Sequence, residues 1–246
     1  MQCLILAGGL GTRVKEISDG RPKALLPIGT KTFIQVQLEW LKIGGVESVV
    51  MAIGHQSDEI RKHIESLDIK KIPNIIYSTE RNGLLGTGGA LKNALPVLWN
   101  DFIVSYGDSF LLIDPRSVFW THERNKYPIT MAILENNNRH DQSNVFYKDD
   151  TLIYRKSNPT KEMTFIDYGM MVFNKKWCEE NFPNKEHFDL AQILETASAQ
   201  KFVGPFLVEK PFFEIGTPSG YLRTQQFLSD YNYDLEQISH EIANDQ

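Results

Sequence analysis

The stretch Leu6-Ala7-Gly8-Gly9-Leu10-Gly11-Thr12-Arg13 decides the fold predicted for this chain. It continues the apolar run Cys3–Ala7, whose length and composition predict a buried strand. A glycine-rich turn after a parallel strand lets backbone N–H groups approach a phosphate closely. Ligands of open α/β sheets bind at the carboxyl ends of the strands, where this turn lies. The stretch therefore indicates an anion-binding turn at the edge of an α/β sheet.

The first 108 residues alternate short apolar runs with amphipathic helical patterns, as in parallel α/β sheets. The predicted strands are Cys3–Ala7, Ser48–Ile53, Asn74–Ser78 and Asp101–Tyr106, and the predicted helices are Phe33–Ile43, Ser57–Leu67 and Gly86–Leu95. After Ser109 the pattern predicts the short strands Thr130–Leu134, Val145–Tyr147, Leu152–Tyr154 and Met170–Phe173, then the helices His187–Ser198 and Thr217–Leu228. We expect one Rossmann-like, three-layer α/β domain over residues 1–230, with a mostly parallel central sheet and a mixed second half. The polar tail 231–246 is expected to be at most a loose helix.

Composition excludes several classes of protein. The 246 residues include 26 Lys and Arg against 31 Asp and Glu, a net charge of −5. A mildly acidic chain without a basic tract argues against nucleic-acid binding. No apolar run approaches the ~18 residues of a membrane span, and the N-terminus lacks signal-peptide features, so we expect no membrane partner. Two distant cysteines, Cys3 and Cys178, predict neither disulfides nor a metal site and favour a reducing cytoplasm.

Three phosphate-binding patterns compete for the glycine turn. A dinucleotide fingerprint fails because Val14 stands where its last glycine belongs, and the Gly-Lys-Ser/Thr ending of a Walker A loop is missing. The third pattern combines the turn with Arg13 and, ten residues on, Lys23, a reasonable cradle for a triphosphate. The alternative is a tight surface turn with two solvated cations.

Two acidic residues are candidate metal ligands. Asp108 follows the strand Asp101–Tyr106, opposite the glycine turn, where a carboxylate suits Mg²⁺ together with phosphate oxygens. Glu214 stands between bulky apolar residues and would be costly to bury without a partner, which a shared metal would supply. The alternative for Asp108 is a cap or a turn former.

A second glycine-rich stretch, Leu84-Leu85-Gly86-Thr87-Gly88-Gly89-Ala90, opens a predicted helix. Three glycines in four residues indicate close approach to a flat ligand or to another segment of the chain. The Thr87 hydroxyl is a candidate to read the edge of a base. A helix entry packed on the sheet explains the same glycines.

Taken in order, these motifs resemble the sugar-1-phosphate nucleotidyltransferases, or nucleoside-diphosphate-sugar pyrophosphorylases. The resemblance covers about residues 1–230 and is carried by residues 6–13, Pro22-Lys23, residues 85–90, Gly107-Asp108 and residues 214–218. Within the family the chain is similar to short, single-domain members such as heptose-1-phosphate guanylyltransferases and small uridylyltransferases. The resemblance implies a nucleotide-binding half over 1–108, a sugar-phosphate-binding half over 109–230, and a role in supplying nucleotide sugars for surface polysaccharide or cell-envelope precursors.

The resemblance also implies roles for individual residues. The catalytic residues would be Arg13, Lys23 and Asp108. Mg²⁺ would be held by Asp108 and Glu214, and the partners would be a nucleoside triphosphate and a sugar 1-phosphate, in a cytoplasmic enzyme that can be a homo-oligomer. Nucleotide contacts fall to Leu6, Ala7, Gly8, Gly9, Gly11, Thr12, Arg13, Glu80, Gly86, Thr87 and Gly107, and sugar-phosphate contacts to Asn144, Lys156, Asp167 and Gly169.

The sequence departs from the family pattern at three places. Glu214 replaces a usual Asp, residues 155–159 replace a Glu-Lys-Pro motif near the sugar, and Glu80 lies where some relatives have Gln. Two other functions therefore remain open: transfer to a phosphomonoester that is not a sugar, and a regulatory subunit of the same fold. Retention of Arg13, Lys23 and Asp108 favours an active enzyme.

Overall fold

The structure is a computed structural model, and it describes residues 1–9, 14–54, 57–80, 83–139 and 141–244. The strands are β1 Gln2–Leu6, β2 Pro27–Ile28, β3 Lys31–Thr32, β4 Ser48–Ile53, β5 Asn74–Thr79, β6 Asp101–Tyr106, β7 Ser109–Leu111, β8 Ile129–Glu135, β9 Val145–Lys148, β10 Thr151–Tyr154, β11 Phe165–Asn174, β12 Val203–Val208 and β13 Phe212–Glu214. The helices are α1 Lys15–Ser18, α2 Phe33–Ile43, α3 Ser57–Glu65, α4 Gly86–Ala94, α5 Pro115–Asn125, α6 Lys175–Asn181, α7 Leu190–Ala199, α8 Pro218–Asp230 and α9 Leu235–Asn244.

Nine strands of the described chain form one central sheet, in the order β10-β9-β11-β6-β1-β4-β5, with β8 and β12 continuing from β11. Strand β1 lies between β4 and β6 and is parallel to both, and β4 is parallel to β5. The chain thus leaves β1 toward β4 and β5 and returns to pair β6 on the other side. This reversal is a topological switch point, where open α/β sheets bind their ligands.

Alternating side chains of the buried strands face two helical layers. Cys3 and Ile5 of β1 pack in a cluster with α2, α3 and α5, whereas Leu4 packs in a second cluster with α4, α6 and α7. Successive residues of a strand point to opposite faces, so a continuous apolar run becomes the middle layer. The prediction of a three-layer α/β domain with a parallel first half and a mixed second half is confirmed.

Helix α5 and strand β12 are present in the structure but were not predicted from the sequence. Helix α5 begins at Pro115, where the side chain of Asp114 accepts the Arg116 N–H and caps the helix. Strand β12 contains Gly204 and Pro205, which usually argue against a strand. Here β12 pairs only with β8 among the described strands, so it is an edge strand, where proline is tolerated.

The C-terminal segment, expected as a loose polar helix, packs instead as part of the core. Helix α9 presents Leu235, Ile238 and Ile242, all 5% exposed or less, to a cluster with Trp40 of α2 and Tyr221 of α8. Their i, i+3, i+7 spacing places them on one helix face. None of the described helices combines the length and apolarity that crossing a bilayer requires.

Replacing Ile238 by Ala should lower the free energy of unfolding by about 2–5 kcal/mol, because the truncation leaves a cavity between α9 and α2. His240→Ala, at an exposed position of the same helix, should change it by less than about 0.5 kcal/mol. Urea denaturation followed by far-ultraviolet circular dichroism measures both. Equal midpoints for the two variants would show that α9 contributes nothing to the core.

Candidate nucleotide-binding cleft

A cavity of about 260 Å³ opens at the carboxyl ends of β1, β5 and β6. Its walls bring together the end of the first strand, the 3₁₀ turn at Lys23, the start of α4 and the turn after β6. The lining residues are Leu6, Ala7, Gly8, Gly9, Pro22, Lys23, Ala24, Ile60, Glu80, Leu84, Gly86, Thr87, Ala90, Tyr106, Gly107 and Asp108. Most residues that the resemblance assigns to the nucleotide therefore line one cleft. Gly11, Thr12 and Arg13 lie outside the described residues.

The turn after β6 approaches β1 more closely than a side chain would allow. The Gly107 N–H donates to the Leu6 carbonyl at 3.0 Å. A Cβ at position 107 would lie 2.8 Å from Cβ of Ala7, so only glycine fits there without a shift. This contact places Asp108, the next residue, beside the end of β1.

Lys23 and Asp108 form an ion pair at this point. Lys23 Nζ lies 2.7 Å from Asp108 Oδ2, and both side chains are only about one-quarter exposed or less, at 20% and 25%. Lys23 stands in a 3₁₀ turn after Pro22, 85 residues away in sequence. The fold thus juxtaposes the cation and the carboxylate that the sequence placed in one phosphate site.

Gln37 of α2 holds the turn that carries Asp108. Its buried side-chain Nε2 donates to the carbonyl oxygens of Tyr106 at 2.8 Å and Ser109 at 3.0 Å. These two hydrogen bonds satisfy carbonyls on both sides of Gly107-Asp108. Buried carbonyls without such partners would cost about 1–3 kcal/mol each. Gln37 is therefore a positioning residue that sequence patterns did not reveal.

The glycines that begin α4 pack against another segment of the chain. Gly86 has φ +74°, and a Cβ at Gly89 would lie 2.1 Å from the Glu186 carbonyl oxygen. Thr87 Oγ1 donates to Asp189 Oδ1 at 2.8 Å and accepts the Leu190 N–H at 2.9 Å. The hydroxyl expected to read a base is thus tied to the start of α7, while Gly86 and Thr87 still line the cleft. Their contact with a base remains a prediction.

Glu214 forms three hydrogen bonds at the start of α8. Its carboxylate accepts the N–H groups of Gly216, at 2.5 Å, and of Thr217, at 3.0 Å, and the Thr217 hydroxyl at 2.6 Å. Its backbone pairs with Ser109, and the Ile215 N–H donates to the Asp108 carbonyl at 2.9 Å. Glu214 therefore lies beside the Asp108 turn with its carboxylate directed to α8. Its role as a metal ligand stays a prediction.

Asp108 offers one carboxylate to a divalent cation. Among the residues with described positions, no group of three or more His, Cys, Asp or Glu side chains is arranged to hold a metal ion. Mg²⁺ does not require such a group, because it is often held by one or two carboxylates plus substrate phosphates and water. The donor set at Asp108 therefore fits a cation that arrives with a nucleotide better than a resident metal.

Three residues assigned to the sugar phosphate meet behind Tyr106. Asn144 Oδ1 accepts the Asp167 N–H at 2.9 Å, and Asp167 Oδ1 accepts the Gly169 N–H at 2.9 Å. Gly169 has φ +96° and lies at an irregularity of the β11–β8 pairing between Asp167 and Met171. The Tyr106 hydroxyl lies 3.4 Å from Asp167 Oδ2. Tyr106, which also lines the cleft, therefore joins this group to the cleft.

Burial raises the pKa of Asp167 to about 6, although the Gly169 N–H, Lys156 and the Tyr106 hydroxyl act to lower it. Burial also raises the pKa of the Tyr106 hydroxyl well above its ordinary value, so Tyr106 stays a hydrogen-bond donor at neutral pH. A carboxylate that ionises at a cost in a cleft is a candidate functional group.

Asp189, which sequence patterns did not reveal, links Thr87 of the cleft wall to Lys156. Its carboxylate accepts from Thr87, caps α7 through the Ala191 N–H, and lies 3.6 Å from Lys156 Nζ. Burial acts to raise the pKa of Asp189, but these partners together hold it below its ordinary value. The one available signal was its position, since Asp directly before an apolar helical pattern is a preferred N-cap.

Comparison with known proteins identifies the family. The nucleotidyl transferase family pattern matches residues 2–230. The chain belongs to the nucleotidyl transferase family. It is 31% identical, over 90% of its length and 97% of the relative's, to the D-glycero-α-D-manno-heptose 1-phosphate guanylyltransferase of Campylobacter jejuni. It is also 31% identical, over 92% of its length and 96% of the relative's, to the N-acetylmuramate α-1-phosphate uridylyltransferase of Caulobacter vibrioides.

A solved structure of the same family has the same fold. HddC from Yersinia pseudotuberculosis superposes with a TM-score of 0.76 at 26% identity, over 92% of this chain and 99% of that one. The expectation of a nucleotidyltransferase is thereby confirmed. The two curated relatives of this nucleotidyl transferase differ in the base named for each, guanylyl and uridylyl, so family membership alone leaves the base undecided.

The pKa of Asp167 predicts how stability depends on pH. Between about pH 4 and 6 the folded chain holds a proton at Asp167 that the unfolded chain releases, so this group stabilises the fold at low pH. That contribution is lost as the pH rises through about 6. On going from pH 5 to pH 7.5, the free energy of unfolding of Asp167→Asn should therefore rise by on the order of 1 kcal/mol relative to that of the wild type.

Urea denaturation at the two pH values measures this difference. The control is Asp149→Asn, at an exposed turn position with φ 47° that Asn tolerates. It should show no such dependence. An Asp167→Asn difference that is the same at pH 5 and pH 7.5 would contradict the raised pKa.

Proposed function

We propose that this chain transfers a nucleotidyl group from a nucleoside triphosphate to a sugar 1-phosphate, giving a nucleotide sugar and pyrophosphate. The observation that carries the proposal is the Lys23–Asp108 ion pair in a glycine-walled cleft at the switch point of the sheet. Family membership and the sugar 1-phosphate relatives support the same reaction.

The reaction needs no covalent intermediate. An oxygen of the acceptor phosphate attacks the α-phosphorus, a new P–O bond forms, and the bond to the β-phosphate breaks to release pyrophosphate. The attacking phosphate already carries negative charge near neutral pH, so no general base has to remove a proton. The protein's task is to bring two polyanions together in line and to neutralise the charge that develops.

The residues of the cleft divide this task between them. The glycine backbone at Gly8 and Gly9 leaves room for the nucleotide, and Lys23 supplies a positive charge next to the phosphates. Asn144, Asp167 and Gly169 form a polar wall behind Tyr106 for the hydroxyl groups of the acceptor. Lys156, held near Asp189, is the candidate cation for the acceptor phosphate.

Asp108 would hold Mg²⁺, with Glu214 as the second candidate ligand. When bound, the ion would neutralise charge on the phosphate oxygens. Lys23 and the cation would share the Asp108 carboxylate, whose Oδ2 accepts from Lys23. Glu214 would have to give up part of its cap on α8 to take part. Arg13, outside the described residues, is proposed from the resemblance to bind the outer phosphates.

A pyrophosphate-release assay tests the reaction class directly. Four nucleoside triphosphates are crossed with sugar 1-phosphates and with other phosphomonoesters, in the presence of Mg²⁺. We expect release only with a sugar 1-phosphate present. Pyrophosphate release only with another phosphomonoester would show that the acceptor is not a sugar 1-phosphate. No release with any pair would favour a regulatory subunit.

Lys23→Ala and Asp108→Ala should each lower kcat by about 10²-fold or more, because each removes charge that acts on the transferring phosphoryl group. Lys31→Ala is a matched control, since Lys31 pairs with the Glu39 carboxylate outside the cleft. It should leave kcat within about twofold. Steady-state pyrophosphate release measures all three, and circular dichroism verifies folding. Near-wild-type turnover in either cleft variant would remove that residue from the mechanism.

A further inference from the structure

The cleft has two chemically different ends, and the strand order sets the distance between them. Glu80 follows β5 and Asp108 follows β6, with β1 and β4 between these strands. Three strand spacings separate the two backbones by about 14 Å. The Lys23–Asp108 pair makes the β6 end the phosphate end. A nucleotide laid along this edge therefore directs its base toward β4, β5 and Glu80.

The Glu80 side chain reaches back over the ends of β4 and β1. A Cβ at Gly54 would lie 3.5 Å from Cδ of Glu80, and a Cβ at Gly8 would lie 2.5 Å from its Oε1. Glycine at both positions leaves room for the carboxylate to lie against the backbone. Its Oε2 accepts the Leu85 N–H at 2.8 Å. The Leu85 hydrogen bond fixes the carboxylate, and no described residue donates to Oε1 in a side-chain hydrogen bond.

The surroundings of Glu80 suit a flat, partly apolar ligand. Ile60, Leu84 and Ala90 line the same cavity and offer apolar surface. Burial raises the pKa of Glu80, although the Leu85 N–H and His187 act to lower it. An ionised carboxylate accepts hydrogen bonds and donates none, and a desolvated one is stabilised by N–H donors. The base that binds here therefore has to present donors to Glu80.

The five relevant bases present different edges to such an acceptor. Guanine presents two adjacent donors, N1–H and the N2 amine, which match the two oxygens of a carboxylate. Hypoxanthine keeps N1–H but lacks the amine, and uracil presents one N–H between two carbonyl acceptors. In adenine and cytosine the amine stands beside a ring nitrogen acceptor, which a carboxylate disfavours. We propose that Glu80 selects guanine, by accepting N1–H and the N2 amine, and so makes this chain a guanylyltransferase.

This proposal rests on the proposed function, and it assigns the choice of base to one side chain. Glu80→Gln tests it with little change of shape. The amide oxygen can still accept the Leu85 N–H, which turns the amide NH₂ toward Gly8 in place of Oε1. A donor then faces N1–H and the N2 amine of guanine, whereas the carbonyl oxygens of uracil gain a partner.

The experiment measures nucleotide binding by isothermal titration calorimetry, with Mg²⁺ and without acceptor, so that it does not depend on turnover. The ligands are GTP, inosine triphosphate, UTP, CTP and ATP. For the wild type we expect GTP to bind at least about tenfold more tightly than inosine triphosphate, the factor for one hydrogen bond to a charged group, and more tightly still than the others.

For Glu80→Gln we expect GTP affinity to fall by about 10²-fold, the GTP preference over inosine triphosphate to shrink toward unity, and UTP affinity to hold or rise. Glu186→Gln, at an exposed glutamate outside the cleft, is the control and should behave as the wild type. Pyrophosphate release with the same nucleotides should rank them in the same order.

The outcomes separate this inference from the proposed function. Nucleotide binding and pyrophosphate release without a GTP preference would overturn the role of Glu80 and leave nucleotidyl transfer standing. A GTP preference that survives in Glu80→Gln would assign guanine selection to another residue. Failure of the folded wild type to bind any of the five nucleotides would overturn the proposed function itself.

Discussion

Parallel pairing of β1 with β4 and β6 is the constraint on which the cleft depends. Because parallel strands end at the same edge of the sheet, the residues that follow them lie along this edge even when they are far apart in sequence. Gly8, Gly54, Glu80 and Gly107 follow β1, β4, β5 and β6 and lie along this edge. The chain adds β4 and β5 on one side of β1 and then β6 on the other, and this reversal of strand order creates the crevice, where Gly107 approaches Ala7 closely. Gln37 secures that turn from the α2 side.

The two halves of the cleft use their carboxylates differently. In the cleft, the charge of Asp108 is balanced by Lys23 at 2.7 Å. Among the described residues Asp167 has no ion pair within 4 Å, and burial raises its pKa to about 6. Lys156 is shared with Asp189 at 3.6 Å. Asp167 is therefore ionised at neutral pH at a cost to the stability of the fold.

The glycine-rich stretch that begins α4 was predicted to approach either a flat ligand or another segment of the chain, and the sequence did not distinguish the two. At Gly8 the Glu80 carboxylate lies in the space that a side chain would occupy. Beside the glycines of α4, residues 186–190 of the chain occupy the space that side chains would need. Sequence patterns identify a missing side chain but not the atoms that use the space. For the same reason they missed Gln37 and Asp189, whose importance comes from partners 69 to 102 positions away. They also missed the burial of α9, because its apolar side becomes a core only against α2.

The amino-acid sequence alone indicates the α/β class and the family, because strand and helix periodicity and ordered glycine motifs are local properties. It also selects Lys23 and Asp108 as separate residues. Tertiary structure decides that they pair, that Glu214 caps α8, and that Glu80 lies over Gly8. Each of these depends on where a side chain points after distant segments have packed. The direction of a side chain is set by its neighbours in space, and these neighbours come from distant parts of the chain.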